Sequence, residues 1–200
     1  MNDFEDFSPA ALAAYRQRFG RELTPDLIKD PASPAFNEWT DWKTTALTGL
    51  TQDLAGTVRQ YRPQAQMARN IYALVVIDKG AQDWLSENYR QYLDTYDYIV
   101  AMAYSYMENK DFGTDDAKAD QWVQDFSHKA FIGLTDGEKR KLVFKLQAYD
   151  WAHKRQIPAE ALQEQTRSLY RNGASNVAYY PEINFEIPKA QEQAGGRSQK

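Results

Sequence analysis

Four short apolar runs, separated by segments with helical periodicity, constrain the fold of this chain more than any other feature. The clearest run covers residues 96–108 and has an apolar, β-branched middle. The other runs cover residues 69–77, 142–148 and 176–180. Runs of this kind are typical of strands that are buried on both faces of a parallel sheet. Because parallel strands need crossover connections and the intervening segments are helical, the sequence predicts an α/β fold.

Helix signals mark the segments around these runs. Ser8 and Pro9 predict a helix start, and Gly20 predicts its end. Further helices are expected over about residues 37–61, 81–96, 115–130 and 158–172. On the helix predicted over residues 37–61, one apolar face is predicted to carry Leu47, Leu50, Leu54, Val58 and Tyr61.

Four βα units are compatible with two architectures. One is an open doubly wound sheet, and the other is about the C-terminal half of an eight-stranded (β/α) TIM-like barrel whose first half would precede Met1. The acidic residues 3–6 favour the barrel, because they would follow a strand that this chain does not contain. We expect one domain over residues 1–186. The tail, 187–200, consists mainly of Gln, Gly, Lys and Arg and is expected to be disordered.

Composition excludes several classes of function. The net charge is −4 and no Lys or Arg cluster lies outside the tail, so nucleic acid is not an expected partner. The chain has no cysteine, and its two histidines, His128 and His153, lack carboxylates at ligand spacing, so we expect no metal site. Glycine-rich nucleotide loops and the GxSxG motif are absent, and no cofactor is predicted. Neither a signal peptide nor a membrane-spanning run is visible in the sequence.

Aromatic and acidic residues follow the predicted strands. The carboxyl ends of parallel strands share one rim, and α/β folds bind their ligands there. Carboxyl groups beside aromatic surfaces are what glycoside hydrolysis needs, because an acid and a base or nucleophile act on sugar rings that stack on flat side chains. The candidate rim residues are Asp3, Glu5, Asp6, Tyr104, Tyr106, Glu108, Gln147, Asp150, Trp151, Tyr179 and Tyr180.

Structural roles for the same residues stay open. A tyrosine at a strand end is as often a core residue with a hydrated hydroxyl as a ligand contact. Glu5 and Asp6 precede a helix start, where the macrodipole alone favours acids by roughly 0.3–1 kcal/mol. Trp39, Trp42 and Trp122 lie on predicted helices and are interpreted as packing residues.

Five short motifs occur in the order known from one family. The chain resembles the C-terminal glycoside-hydrolase domain of bacterial poly-β-1,6-N-acetylglucosamine N-deacetylases of the PgaB and HmsF type, over residues 3 to about 184. The motifs are residues 3–6 with Ser8 and Pro9, residues 68–73, residues 96–98 with 102–103 and 106–108, residues 146–151, and Asn176 with residues 179–181.

The resemblance implies a barrel that acts as an endo-glycosidase on partially de-N-acetylated poly-β-1,6-N-acetylglucosamine in the periplasm. It implies Asp6 as the leading candidate for the catalytic carboxylate. The sequence does not fix the second catalytic group, for which Glu5, Glu108 and Asp150 are candidates. The resemblance also implies Trp84, Glu108 and Trp151 as groove residues. Expected partners are the polysaccharide and, in the parent protein, the N-terminal half of the barrel and a deacetylase domain. The alternative is a non-catalytic module that binds and guides the exported polymer.

Overall fold

A computed structural model describes residues 7–30, 32–109 and 113–182. The chain divides into two compact units. The first contains the described residues up to 65 together with residues 78–89, and the second contains residues 66–77 and the described residues from 90 onward. The boundary expected at residue 186 and the tail lie outside the described residues, so both stay predictions.

The helices and strands follow one another in this order: α1 (Pro9–Phe19), a 3₁₀ helix (Pro25–Ile28), α2 (Pro34–Tyr61), β1 (Ala68–Tyr72), α3 (Ala73–Ile77), α4 (Lys79–Leu85), α5 (Tyr89–Thr95), β2 (Tyr98–Ala103), α6 (Ser105–Glu108), α7 (Asp116–Phe131), α8 (Asp136–Lys139), β3 (Leu142–Gln147), β4 (Tyr149–Asp150), β5 (Arg155–Gln156), α9 (Ala159–Arg171) and β6 (Asn176–Tyr180).

In the first unit, α1 has the predicted caps. Oγ of Ser8 accepts a hydrogen bond from the Ala11 amide at 3.2 Å. Gly20 ends the helix in the left-handed region at φ 70° and donates its N–H to the Arg16 carbonyl, a conformation that glycine adopts without strain. The core of this unit is formed by Tyr15, Leu23, Ile28, Ala35 and Trp39.

Helix α2 differs from the prediction at its start and in its buried face. It begins at Pro34 rather than near residue 37, because Ser33 caps it and proline fits the first helical turn. Its buried residues are Ala35, Trp39, Thr40, Thr44, Thr48 and Ala55. The predicted apolar face lies on the surface instead, with exposed fractions from 44% at Leu47 to 74% at Tyr61.

The second unit is built on a parallel sheet with strand order β1-β2-β3-β6. Its register pairs Ile71 with Ala101, Ala101 with Phe144, and Phe144 with Val177. These residues share one face of the sheet, and the rings of Phe126 on α7 and Phe144 lie 5.9 Å apart. Helix α7 therefore covers this face.

The opposite face of the sheet is partly exposed. Side chains alternate between the two faces along a strand, so Val100, Met102, Val143 and Lys145 point away from the helix-covered face. All four are partly exposed, whereas their neighbours in sequence on β2 and β3 are buried. Within the described residues, β1 and β6 each pair with the sheet on one side only. The sheet thus presents one open face and one carboxyl-terminal rim.

Two predicted elements need correction. The run 69–77 is not one strand: β1 ends at Tyr72, and residues 73–77 form α3, because a buried apolar run of this length fits a helix as well as a strand. The helix predicted over 81–96 is two helices. Ser86 stands between them at φ 53°, in the left-handed region that ends a helix.

The strand predicted from residue 96 is shorter as well. β2 ends at Ala103, and the chain turns at once into the short helix α6. The positions of β3 and β6 agree with the prediction. No helix within the described part of the chain combines the length and the apolar composition needed to cross a bilayer.

Candidate functional site

Three aromatic rings meet at the carboxyl-terminal rim of the sheet. The ring centroids of Tyr104 and Trp151 are 5.8 Å apart, those of Trp151 and Tyr180 are 6.0 Å apart, and those of Tyr104 and Tyr180 are 6.3 Å apart. Tyr104 directly follows β2, Tyr180 ends β6, and Trp151 follows β4 just beyond β3. We call these three residues the aromatic platform.

The platform is accessible from solvent. Trp151 is 42% exposed and Tyr180 is 51% exposed, whereas Tyr104 is largely buried. Burial is the main reason why the pKa of the Tyr104 hydroxyl is raised to about 12. A flat apolar ligand surface, such as one face of a sugar ring, can therefore stack on exposed rings that a buried ring supports.

A small hairpin holds Trp151 in place. Strands β4 and β5 pair in antiparallel fashion, and Asp150 organises the turn between them. Its carboxylate accepts hydrogen bonds from the Ala152 amide at 3.1 Å, the His153 amide at 3.2 Å and Nδ1 of His153 at 2.7 Å. Although burial opposes ionisation, these hydrogen bonds lower the pKa of Asp150. Asp150 therefore stabilises the turn that positions Trp151.

A second set of contacts fastens this hairpin to α6 and α7. Asp116 accepts a hydrogen bond from the Tyr106 hydroxyl and another from Nη2 of Arg155 at 3.0 Å. The Arg155 guanidinium also lies 5.2 Å from the centre of the Tyr106 ring and 3.6 Å from Asp150. Burial, reinforced by Asp116, raises the pKa of the Tyr106 hydroxyl. Tyr106 is thus buried, with its hydroxyl bonded to Asp116 and its ring against Arg155.

Gln147 and Tyr179 are also supporting residues in this geometry. The side-chain oxygen of Gln147 accepts a hydrogen bond from the Met107 amide at 3.1 Å, and its amide group donates to the Tyr149 carbonyl at 2.8 Å. The Tyr179 hydroxyl shares a 2.7 Å hydrogen bond with the hydroxyl of Thr166 on α9. Tyr179 therefore points to the helix layer, whereas its neighbour Tyr180 joins the platform.

Glu108 is a partly buried carboxyl group that follows the end of β2. It ends α6, one turn after Tyr104, and its backbone N–H donates to the Tyr104 carbonyl at 3.0 Å. Burial raises the pKa of its carboxyl group. Within residues 7–30, 32–109 and 113–182, the Glu108 side chain forms no ion pair that would reverse this effect. A carboxylic acid that keeps its proton to higher pH is suited to general acid chemistry.

Lys145, which the sequence interpretation did not single out, lies beside the platform. Nζ of Lys145 is 5.7 Å from the centre of the Tyr104 ring and 5.5 Å from that of Tyr180. It donates a 2.6 Å hydrogen bond to Oδ1 of Asn70 on β1. The alternation along β3 contained a signal, because Lys145 is the charged residue of this strand and shares the face of Val143.

The remaining predicted site residues are Asp3, Glu5, Asp6 and Trp84. Asp3, Glu5 and Asp6 lie outside the described residues. Trp84 belongs to the first unit, on α4, and is 47% exposed. Nowhere in the described ranges do three or more His, Cys, Asp or Glu side chains come together in a way that could hold a metal ion.

Comparisons with known proteins agree with this geometry. The chain is 33% identical over 189 residues to poly-β-1,6-N-acetyl-D-glucosamine N-deacetylases of Escherichia coli strain K12 and of Escherichia coli O157:H7. It is 30% identical to the solved PgaB (BpsB) glycoside hydrolase domain from Bordetella bronchiseptica, with a TM-score of 0.76. These matches cover 92% and 90% of this chain, respectively, but the chain spans only 27% of the curated relatives and 49% of the solved domain.

The structural match and the parallel α/β alternation confirm the predicted TIM-like (β/α) class. The model of the family described as hypothetical glycosyl hydrolase family 13 (GHL13) matches residues 1–180. The resemblance stated from the sequence motifs is confirmed by all three comparisons. The chain therefore belongs to the GHL13 family of glycosyl hydrolases.

Proposed function

We propose that this chain contributes an endo-acting glycoside hydrolase activity on partially de-N-acetylated poly-β-1,6-N-acetyl-D-glucosamine. The observation that carries the proposal is the accessible aromatic platform at the carboxyl-terminal rim of a parallel sheet, with Glu108 one helical turn from Tyr104. Membership of a glycosyl hydrolase family supports the reaction class. The polymer in the name of the Escherichia coli relatives supports the substrate.

In this proposal, different carboxyl groups serve as the catalytic carboxylate and as the acid. Asp6, with Glu5 as the neighbouring candidate, supplies the catalytic carboxylate, as the family resemblance implies. Glu108 supplies the acid, because burial raises its pKa. Asp150 is a weaker candidate for proton transfer, since its carboxylate is 1% exposed and already accepts three hydrogen bonds. Trp151 and Tyr180 bind the sugar rings.

The cellular setting follows the same resemblance. We infer that the parent protein works in the periplasm, where it modifies a biofilm polysaccharide during export. The rest of the barrel and a deacetylase domain would belong to that parent protein.

The direct test is cleavage of defined substrates. The chain is incubated with partially de-N-acetylated β-1,6-glucosamine oligomers, and the products are measured by mass spectrometry. We expect shortened oligomers that disappear in the Asp6→Asn variant. Unchanged product formation in this variant would contradict the assignment of Asp6, and intact oligomers with the unaltered chain would contradict catalysis by this chain.

A second candidate function is polysaccharide binding without turnover. The hydrogen bonds of the hairpin favour this function. Asp150 and Arg155, which lie close to Trp151 in the chain, hold the hairpin in place and are less available for proton transfer. Oligomers that bind the chain but stay intact, with binding weakened by Trp151→Ala, would favour this alternative. Cleavage would exclude it.

A further inference from the structure

The turn that carries Trp151 contains a histidine paired with a buried carboxylate. Nδ1 of His153 lies 2.7 Å from Oδ2 of Asp150, and the Asp150 side chain is only 1% exposed. The His153 side chain is 42% exposed, so its ring can exchange protons with water. The pair therefore joins a solvent-accessible titratable group to the residue that organises the turn.

Trp151 lies between the two members of this pair in the chain. The carboxylate also accepts the amide N–H groups of Ala152 and His153 at 3.1 and 3.2 Å, so backbone and side-chain contacts close one turn around Trp151. The indole lies 5.8 Å from the Tyr104 ring and 6.0 Å from the Tyr180 ring, measured between centroids. A ring that is already held in its binding orientation loses less freedom when a ligand stacks on it. The strength of the contacts in the turn therefore affects ligand affinity.

The charge of the imidazole changes the strength of the contact between His153 and Asp150. A neutral imidazole can donate Nδ1–H to the carboxylate, whereas a protonated imidazole donates the same hydrogen bond and adds the attraction between opposite charges. Histidine side chains change charge between about pH 5 and 8. Although burial opposes ionisation, hydrogen bonds lower the pKa of Asp150, so its carboxylate stays ionised in this range. The ion pair is thus present in mild acid and is lost as the pH rises.

Other charged groups act on the same pair. Nε of Arg155 on β5 lies 3.6 Å from Oδ2 of Asp150, and the Arg155 guanidinium also bonds Asp116 on α7. Lys154 follows His153 directly in the turn and is exposed. Both cations reduce the gain from protonating His153, but lysine and arginine side chains are ordinarily charged throughout the range in which histidine titrates. The change of charge in this turn therefore comes from the histidine.

We propose that His153 is a positioning residue for Trp151 and that protonation of its imidazole strengthens sugar binding at the aromatic platform. This inference rests on the proposed function. His153 acts through Asp150 on the turn that presents the indole, rather than by touching the sugar. The chain would thus hold its polymer more firmly in mildly acidic surroundings than in alkaline ones.

The test measures binding of a fully N-acetylated β-1,6-linked pentasaccharide, whose sugar units carry no amine that could titrate. Isothermal titration calorimetry of the unaltered chain is carried out at about pH 5.5 and about pH 8, toward the two ends of the histidine range. We expect binding to be about threefold weaker at the higher pH, because the attraction between the charges is lost while the neutral hydrogen bond remains.

Three variants assign the pH dependence to its source. His153→Gln removes the charge but keeps an N–H donor, so its affinity should be equal at both pH values and close to that of the unaltered chain at the higher one. His153→Arg carries a permanent charge and should bind as tightly at the higher pH as at the lower. His128→Gln changes an exposed histidine on α7 and should keep the pH dependence of the unaltered chain. Circular dichroism checks that each variant is folded.

The outcomes distinguish this inference from the proposed function. Equal affinity of the unaltered chain at the two pH values would overturn the role of His153 alone. A pH dependence that His153→Gln retains would overturn it as well and would assign the titration to another group, such as Glu108. Failure of the unaltered chain to bind the pentasaccharide at either pH would overturn the polysaccharide function and, with it, this inference.

Discussion

The rings of Tyr104 and Tyr180 lie nearly parallel, with an interplanar angle of 13° and centroids 6.3 Å apart, although their strands are not neighbours. Strand β3 runs between β2 and β6 in the sheet. The two rings therefore reach toward each other above β3, and the side chain of Lys145 on that strand approaches both. This arrangement makes one binding surface from three strands.

Trp151 is expected to contribute to ligand binding without contributing much to the core. The Trp151→Ala variant should lose about tenfold in affinity for β-1,6-linked oligosaccharides, because one stacking surface of the platform disappears. Calorimetric titration measures the change. Tyr61→Ala removes another exposed aromatic side chain, one on α2, and serves as the control that should bind normally. Equal losses in both variants would contradict the assignment of the platform.

Tyr179 and Tyr180 are adjacent in sequence but should respond differently to substitution. Tyr179→Phe removes the hydrogen bond to Thr166 and should lower the free energy of unfolding by about 1 kcal/mol with little change in ligand affinity. Tyr180→Ala should weaken binding with little change in stability, because the ring is half exposed. Chemical denaturation and calorimetric titration of both variants check this contrast. A binding defect in Tyr179→Phe would place that residue in the groove instead.

The hairpin should be sensitive to acid through Asp150. Hydrogen bonds lower the folded-state pKa of Asp150, so its contribution to stability is present above the unfolded-state pKa and is lost as the pH falls through the folded-state pKa. At neutral pH, Asp150→Asn should lower the free energy of unfolding by about 2 kcal/mol, because an amide cannot accept all of these hydrogen bonds.

Thermal unfolding from neutral to strongly acidic pH measures this effect, and the difference between variant and unaltered chain should shrink on acidification. Asp53→Asn makes the same chemical change at an exposed position on α2 and is the matched control. A difference that stays constant with pH would show that Asp150 does not act through its charge.

The ionised side chain of Glu108 should lower the free energy of unfolding, although Glu108 is proposed to take part in catalysis. Burial raises its folded-state pKa, so the folded chain binds the proton more tightly than the unfolded chain, and stability falls as the pH rises from the unfolded-state to the folded-state pKa. Glu108→Gln should therefore be more stable than the unaltered chain at neutral pH and similar to it in acid. If Glu108 is the acid, the same variant should lose roughly 10²–10⁴-fold in turnover.

Thermal unfolding and oligosaccharide cleavage, each followed against pH, measure both effects. Glu160→Gln makes the same chemical change at an exposed position and should alter neither cleavage nor its pH profile. Full activity in Glu108→Gln would remove Glu108 from the proton transfer.

The sequence predicted most of the sheet because its signals are local. Strands β2, β3 and β6 are short apolar runs bounded by polar residues, and such runs define buried strands well. The first strand was predicted too long, because residues 73–77 are as apolar as a buried strand and only tertiary packing makes them helical. Periodicity likewise identified the apolar face of α2 but could not show that this face is exposed, because the pattern does not reveal what packs against it.

The location of the aromatic platform was predictable from the sequence, but the hydrogen bonds around it were not. Tyr104, Trp151 and Tyr180 follow strands, so the shared rim of a parallel sheet implied that they would meet. Tyr106, Gln147 and Asp150 also lie at or after strand ends, and the structure adds hydrogen bonds to other parts of the chain that the sequence did not predict. Lys145 was missed, because alternation along β3 assigns it to the face of Val143, but only the register with β2 and β6 shows that Tyr104 and Tyr180 lie close to it.

The hairpin that carries Trp151 stands outside the main sheet and depends on a few polar contacts made by Asp150 and Arg155. Changes in its length or sequence would therefore leave the packed layers of the second unit intact, since surface connections tolerate insertions at small entropic expense. Related chains could diverge in the sugar pattern they accept by altering this hairpin alone. Substrate preference in such a fold can evolve faster than the fold itself.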